Sequence, residues 1–183
     1  GIDVPIAALI EAPTIAGLAE RLRGRNAVLA FDPLVPIRTS GSRTPLFLVH
    51  PLGGHVLCYL PLARALPADM PVYALQEAGS GQGSTPLQSI EEMAMEYLVA
   101  VRRVQPQGPY VLAGWSFGGF VAYEMARQLR ALDPHWVEQV IVLDSITIDR
   151  DRFMGATDDA LLQFFYWELV WFERSHEKVE PLP

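Results

Sequence analysis

The stretch Tyr110–Gly119, YVLAGWSFGG, decides the fold. It begins as an apolar run of strand length and passes through G-W-S-F-G at 114–118 into a segment, 119–132, whose apolar residues recur at helical spacing. A serine at a sharp turn between a strand and a helix has a strained backbone that holds its hydroxyl clear of the sheet. Glycines two positions to either side let the strand and the helix pack closely. The pattern therefore predicts that Ser116 is a nucleophile.

Acyl transfer to a serine also needs amide N–H groups where the oxyanion forms, and losing one such donor raises the barrier by about 3 kcal/mol. The Phe117 amide follows the nucleophile and lies at a helix N-terminus, which favours negative charge. A second donor is expected from the turn PLGG at 51–54, because its glycines free the backbone to approach a substrate. Leu52 is the predicted donor and Gly53 the alternative. A plain turn between a strand and a helix stays open as the other interpretation.

Asp144 is the predicted acid that orients the catalytic base. It closes the apolar run VIVLD at 140–144, one helix and one strand after the nucleophile. Catalytic groups of open α/β sheets gather at the carboxyl edge of the strands, and the chain order of such sites is serine, acid, histidine. The alternative is that Asp144 only caps the turn that follows its strand.

The histidines do not complete this arrangement. Only His176 follows Asp144, and it lies in a charged stretch with no strand between the two, so it is not expected to be the general base. His50 and His55 precede the nucleophile and are expected to line the cleft, whereas His135 is expected at the surface. The simplest expectation is that the sequence stops before the catalytic histidine.

The wider pattern alternates short apolar runs with amphipathic segments. Runs at 46–50 and 72–75 precede a predicted helix at 89–105, which begins with a Ser89-Glu92 capping box. Strands that are apolar on both faces indicate a covered parallel sheet, and strand-helix alternation indicates a doubly wound α/β layer. An aromatic-rich segment at 157–173 is predicted to be a lid helix over a hydrophobic channel, with an ordinary core helix as the alternative.

The N-terminal part has a different organisation. The first 22 residues end in a helical pattern with Thr14 as the predicted N-cap, and Ile15 and Leu18 are expected on its apolar face. Residues 23–44 read as a linker, with 34–38 as a possible edge strand. A domain boundary is expected there.

Composition excludes several classes of protein. The net charge is −7 and the basic residues are scattered, which argues against a nucleic-acid partner. No apolar run reaches the roughly 20 residues of a membrane helix, and no signal sequence is evident. Cys58 is the single cysteine, so neither an internal disulfide nor a cysteine metal site is expected. The cytoplasm is the expected location.

These residues together resemble a known family. Residues 45–145, with PLFLVHPLGG, the CYLPLARALP stretch, VQPQGPYVLAGWSFGGFVAYEMARQL and VIVLDS, resemble the thioesterase domain of nonribosomal peptide synthetases and related polyketide synthases. The segment GIDVPIAALIEAPTIAGLAERL is similar to the end of a peptidyl or acyl carrier domain. The resemblance implies a carrier tail at 1–23, a linker at 24–44 and, at 45–183, an α/β-hydrolase fold. That fold has a mostly parallel sheet, helices on both faces and a helical lid, and it is expected to be incomplete at its C-terminus.

The resemblance also implies an activity. An acyl or peptidyl chain, delivered as a phosphopantetheine thioester by an upstream carrier domain, would pass to Ser116 and leave by hydrolysis or macrocyclisation. Asp144 would orient the base, Leu52 and Phe117 would form the oxyanion hole, and no cofactor or metal would be bound directly. Ser145 lies in a D-S-I string like a phosphopantetheine attachment site, but it follows a buried strand and is not expected to carry the group. The alternative is a catalytically incomplete module that docks a carrier or binds acyl chains, while a free-standing esterase or editing thioesterase is disfavoured.

Overall fold

A computed structural model describes residues 4, 6–23, 32–77 and 89–145 of the 183-residue chain. These residues lie in one compact unit, Gly1–Ser145. The predicted lid helix at 157–173 and His176 lie outside the described residues. Among the helices in the described ranges, none combines the length and the apolar character that crossing a membrane requires.

A five-stranded sheet forms the centre of this unit. Its strands are β1 Leu34–Arg38, β2 Leu46–Val49, β3 Val72–Leu75, β4 Tyr110–Trp115 and β5 Val137–Leu143. Their order across the sheet is β1-β3-β2-β4-β5, with β1 antiparallel to β3 and every other pair parallel. The predicted parallel sheet is confirmed, and so is the edge strand at 34–38. The division of the chain into carrier tail, linker and thioesterase stays a prediction.

Helices cover both faces of the sheet, as predicted. They are α1 Ile6–Glu11, α2 Ile15–Arg23, α3 Leu60–Ala65, α4 Ile90–Val104 and α5 Phe117–Leu132, with a 3₁₀ turn at Leu57–Tyr59. Because side chains alternate along a strand, Phe47 and Val49 pack with α4 and α5 on one face. Leu46 and Leu48 pack with Tyr59 and the α3 side on the other. All four β2 side chains are buried, which explains the unbroken apolar run.

Two predicted helix caps are confirmed. The Ser89 hydroxyl accepts a hydrogen bond from the Glu92 N–H at 3.1 Å, and the Thr14 hydroxyl accepts one from the Gly17 N–H at 3.1 Å. Each satisfies one of the N–H groups that the first turn of a helix leaves without a partner. Ile15 is 91% exposed, however, so the predicted apolar face of α2 is not buried at its first residue.

The ends of two strands differ from the predicted ones. Strand β5 begins at Val137, three residues before the predicted start at Val140. The exposed polar residues Glu138 and Gln139 interrupt the apolar run in the sequence, but the backbone pairing with β4 extends back to Val137. Strand β5 is also less buried than predicted, with Val142 48% and Leu143 37% exposed. Among the described strands it pairs only with β4.

Candidate active site

Ser116 lies at the turn between β4 and α5, at the carboxyl edge of the sheet. Its φ of 54° and ψ of −122° place a non-glycine residue in a sparsely populated region of backbone space. Such strain persists only where the surroundings fix it, and it is concentrated at functional sites. The structure therefore contains the strained strand-to-helix turn that the sequence predicts around this serine.

The glycines around the turn leave room for backbone, not for side chains. A Cβ on Gly114 would lie 2.0 Å from the Gly118 carbonyl oxygen. One on Gly118 would lie 2.3 Å from the Val49 carbonyl oxygen at the end of β2. Strand β4 and helix α5 can approach this closely only because Gly114 lacks a Cβ, and α5 can approach the end of β2 only because Gly118 lacks one. The turn is thus held against the neighbouring strand by backbone contacts.

We expect Gly114→Ala to destabilise the protein strongly. The new methyl group meets backbone atoms of α5 that cannot rotate away, so the cost is expected to be about 3 kcal/mol or more. In the complete protein that carries this sequence, this domain's unfolding temperature should fall by roughly 10 °C.

Gly53→Ala is the matched control for that substitution. An added Cβ at Gly53 meets no atom nearer than 3.8 Å, although its φ of 97° imposes a strain of about 1 kcal/mol. Unfolding temperatures that fall equally in the two variants would contradict the close approach of β4 and α5.

Asp144 lies beside Ser116 at the same edge. Trp115 of β4 is the register partner of Leu143 of β5, so the residues that follow each of them leave the sheet side by side. The Ser116 N–H donates to the Leu143 carbonyl oxygen at 2.8 Å and extends the pairing to the predicted nucleophile. Asp144 is exposed and has a φ of 47°. The structure thus brings together the two predicted residues, which directly follow neighbouring strands.

The predicted oxyanion donors lie at this edge, Leu52 in the turn at 51–54 and Phe117 at the first residue of α5. Within residues 32–77 and 89–145, no acceptor takes the N–H of Leu52 or of Phe117. The Gly54 N–H, by contrast, donates to the Pro51 carbonyl oxygen at 3.2 Å and is not free for a substrate. Gly53 has no acceptor for its N–H in these ranges either, so the choice between Leu52 and Gly53 stays open.

His50 lies beneath the turn at 51–54 instead of lining an open cleft, since it is 1% exposed. Its Nδ1 is 2.7 Å from the Pro51 carbonyl oxygen, and its Nε2 is 2.8 Å from the Tyr97 hydroxyl of α4. Burial lowers the pKa of the His50 imidazole, against opposing effects of the Pro51 carbonyl and the Glu77 carboxylate. The ring is therefore neutral at pH 7. His55 and His135 are both exposed, the latter as predicted.

Residues 44–176 match the family model described as the thioesterase domain, which covers more than half of the chain. The chain belongs to the thioesterase domain family. The α/β-hydrolase fold and the serine thioesterase chemistry that the resemblance implies agree with this membership.

Relatives of this thioesterase domain are found among much longer proteins. It is 48% identical over 130 residues to a dimodular nonribosomal peptide synthase of Bacillus subtilis, covering 71% of this chain and 6% of the relative. It is 41% identical over 149 residues to the nonribosomal peptide synthetase btyA of Aspergillus terreus, covering 81% of this chain and 16% of the relative. The chain therefore spans a small part of each relative's length.

Solved structures of a nonribosomal peptide synthetase and of a thioesterase domain are also similar to this chain. A four-domain nonribosomal peptide synthetase bound to AMP and glycine superimposes with a TM-score of 0.70 at 34% identity, covering 85% of this chain and 12% of that one. The NocB thioesterase domain, in covalent complex with a fluorophosphonate nocardicin G analog, has a TM-score of 0.53 at 37% identity, with coverages of 62% and 55%.

Tyr59 lies at the candidate site and was not predicted there from the sequence. Its buried hydroxyl donates to the Val49 carbonyl oxygen at 2.5 Å and accepts from the Trp115 N–H at 3.0 Å. It thereby joins the ends of β2 and β4, which lead into the turn at 51–54 and into Ser116, the predicted nucleophile. Burial raises the pKa of this hydroxyl, so it stays protonated. In the sequence, the only indication of this role is that Tyr59 carries a hydroxyl group within an otherwise apolar stretch.

Proposed function

We propose that this thioesterase domain takes an acyl or peptidyl chain from a phosphopantetheine thioester onto Ser116 and then releases it, in the biosynthesis of a nonribosomal peptide or related natural product. The single observation that carries the proposal is the backbone geometry at the edge of the sheet. A serine with positive φ follows β4, and beside it lie the amides of Leu52, in the turn at 51–54, and of Phe117, at the start of α5, neither of which has an acceptor among the described residues. The similarity to nonribosomal peptide synthetases supports the choice of substrate class.

The first half of the reaction forms an ester on Ser116. Its hydroxyl oxygen attacks the thioester carbonyl as a base removes the hydroxyl proton, and the carbonyl oxygen becomes an oxyanion. The Leu52 and Phe117 N–H groups donate to that oxyanion. When the carbonyl reforms, the carbon–sulfur bond breaks and the phosphopantetheine thiol leaves with the proton from the base. Asp144 orients and stabilises the protonated base during this step.

The second half releases the chain. Water, or an amine or hydroxyl of the chain itself, attacks the ester carbon, the carbon–oxygen bond to Ser116 breaks, and the serine recovers its proton. Attack by water gives a free acid, and attack by an internal group closes a ring. Both outcomes use the same oxyanion donors, so the site chemistry accommodates hydrolysis and macrocyclisation alike.

The partner in this proposal is an upstream carrier domain of the same synthase. Residues 1–23 are the end of that carrier domain, and residues 24–44 are the linker to the thioesterase. The phosphopantetheine arm belongs to the carrier, so this domain binds no cofactor of its own. The similarity to a multidomain synthetase supports this arrangement. The complete synthase acts in the cytoplasm.

The experiment uses the complete protein with its carrier loaded with an acyl or peptidyl chain. Run in H₂¹⁸O, the reaction should release the chain either as an acid that carries ¹⁸O in its carboxyl group or as an unlabelled ring. Release of the chain from the carrier at no more than the uncatalysed rate would contradict the proposal. If the domain nevertheless bound the loaded carrier, the result would favour the docking module instead.

A further inference from the structure

The turn that contains Leu52 is anchored by its neighbouring carbonyl. The Pro51 carbonyl oxygen, which belongs to the same peptide unit as the Leu52 N–H, has two donors. One is His50, whose Nδ1 lies 2.7 Å away, and the other is the Gly54 N–H at 3.2 Å. A carbonyl oxygen can only accept, so Nδ1 carries the proton and Nε2 accepts from the Tyr97 hydroxyl.

The second predicted donor is anchored in the same way. The Ser116 carbonyl oxygen belongs to the peptide unit that contains the Phe117 N–H. It accepts from the Ser145 hydroxyl at 2.6 Å and from the Gly119 N–H at 3.0 Å. The Ser145 hydroxyl fits at this position because Gly119 has no side chain; a Cβ there would lie 2.1 Å from the hydroxyl oxygen. Each candidate peptide therefore has one side-chain donor and one backbone donor on its carbonyl.

The geometry of the peptide unit turns these contacts into control over the N–H groups. A trans peptide is planar, and its C=O and N–H point in opposite directions. Fixing the carbonyl at two points fixes the plane, and the N–H on the far side is then aimed in one direction. An oxyanion hole depends on donors that are already oriented before charge develops.

We propose that His50 and Ser145 are positioning residues that hold the Leu52 and Phe117 amides toward the oxyanion. The inference rests on the proposed function and adds to it two residues that do not touch the reacting atoms. Tyr97 extends the first anchor into α4 by holding the far side of the His50 ring. Ser145 extends the second into the segment that directly follows Asp144, so one short loop serves both the acid and the oxyanion donor.

Two variants of the complete protein test His50. Glutamine reaches the Nε2 position and can keep the contact with Tyr97 while losing the one with Pro51. Asparagine places its amide near the Nδ1 position and can keep the contact with Pro51. We expect His50→Gln to lower kcat about tenfold with KM unchanged, less than the roughly 10²-fold that follows outright loss of a donor. His50→Asn should retain activity within about threefold of wild type.

Ser145→Ala is tested against Ser89→Ala. Both remove a serine hydroxyl that hydrogen-bonds to backbone. Ser145 donates to the Ser116 carbonyl oxygen and, at 3.3 Å, to that of Leu143, whereas Ser89 caps α4 away from the site. The two variants should lose similar thermal stability. Only Ser145→Ala should lower kcat, again by about tenfold, an effect smaller than loss of a whole oxyanion donor.

A fluorophosphonate supplies a readout of the oxyanion hole itself. It forms a bond from phosphorus to the Ser116 oxygen with loss of fluoride, and its phosphoryl oxygen occupies the position of the oxyanion. Rate constants for this labelling should fall in parallel with kcat in His50→Gln and Ser145→Ala. If the labelling rate constant and kcat were both unchanged in these two variants, the inference would be overturned. It would also be overturned if Ser89→Ala lost as much kcat and labelling rate as they do. If the wild-type protein released no acyl chain, only the proposed function would be overturned. The rates of fluorophosphonate labelling in the variants and the wild type would still test whether His50 and Ser145 position the two amides.

Discussion

Ser116→Ala is expected to reduce release of a thioester-bound chain by about 10⁵- to 10⁶-fold, the scale seen when a nucleophile of this kind is removed. Alanine keeps the backbone and the amides at 116 and 117 but removes the only atom that can form the ester. Binding of the loaded carrier should therefore persist while covalent chemistry stops. Single-turnover release from a loaded carrier in the complete protein is the measurement.

Ser40→Ala is the matched control for that experiment. Ser40 is an exposed serine in the loop after β1, with no side-chain hydrogen bond among the described residues. This variant should release the chain at the wild-type rate. Activity of Ser116→Ala within about tenfold of wild type, far above the expected residual rate, would place the nucleophile elsewhere.

Asp144→Asn is expected to lower kcat by about 10⁴-fold, since an amide cannot fix the tautomer of a histidine base or stabilise its charge as a carboxylate does. Asparagine is isosteric and Asp144 is exposed, so stability should change little. The loss should appear in both acylation and release. Burst-phase and steady-state rates in the complete protein separate the two steps.

Asp133→Asn provides the comparison for that carboxylate. Asp133 also ends a regular element, and its side-chain oxygen accepts from the His135 N–H at 2.8 Å, a bond that asparagine can still accept. This variant should retain full activity. If Asp144→Asn lost no more than Asp133→Asn does, Asp144 would be only the cap of its turn.

Most of the fold could be predicted because its signals are local. The strand at Val72–Leu75 has the predicted ends, and the caps at Ser89 and Thr14 lie where the capping patterns place them. Strand β5 shows the limit, because the polar residues at its start hide backbone pairing that depends on β4. Helix α1, six residues long, is too short to show a helical period.

The site could be predicted only where its chemistry is carried by one residue in a recognisable turn. Ser116 and Asp144 follow from strand ends, which the sequence displays. Tyr59, His50 and Ser145 do not. Tyr59 and Ser145 bond to backbone groups of other elements, and His50, which contacts the adjacent Pro51 carbonyl, is held in place by the Tyr97 hydroxyl of α4. Such bonds depend on how strands are ordered in the sheet, and a linear pattern contains no record of that order.

Mass analysis of the peptide 104–127 tests the central claim most directly. Trypsin releases this peptide by cutting after Arg103 and Arg127, and Ser116 is its one serine. The complete protein is loaded with an acyl chain on its carrier and quenched in acid within a turnover. The account predicts that the peptide gains the mass of the acyl group and that fragmentation places it on Ser116. A chain that is turned over while this peptide stays unmodified throughout would contradict it.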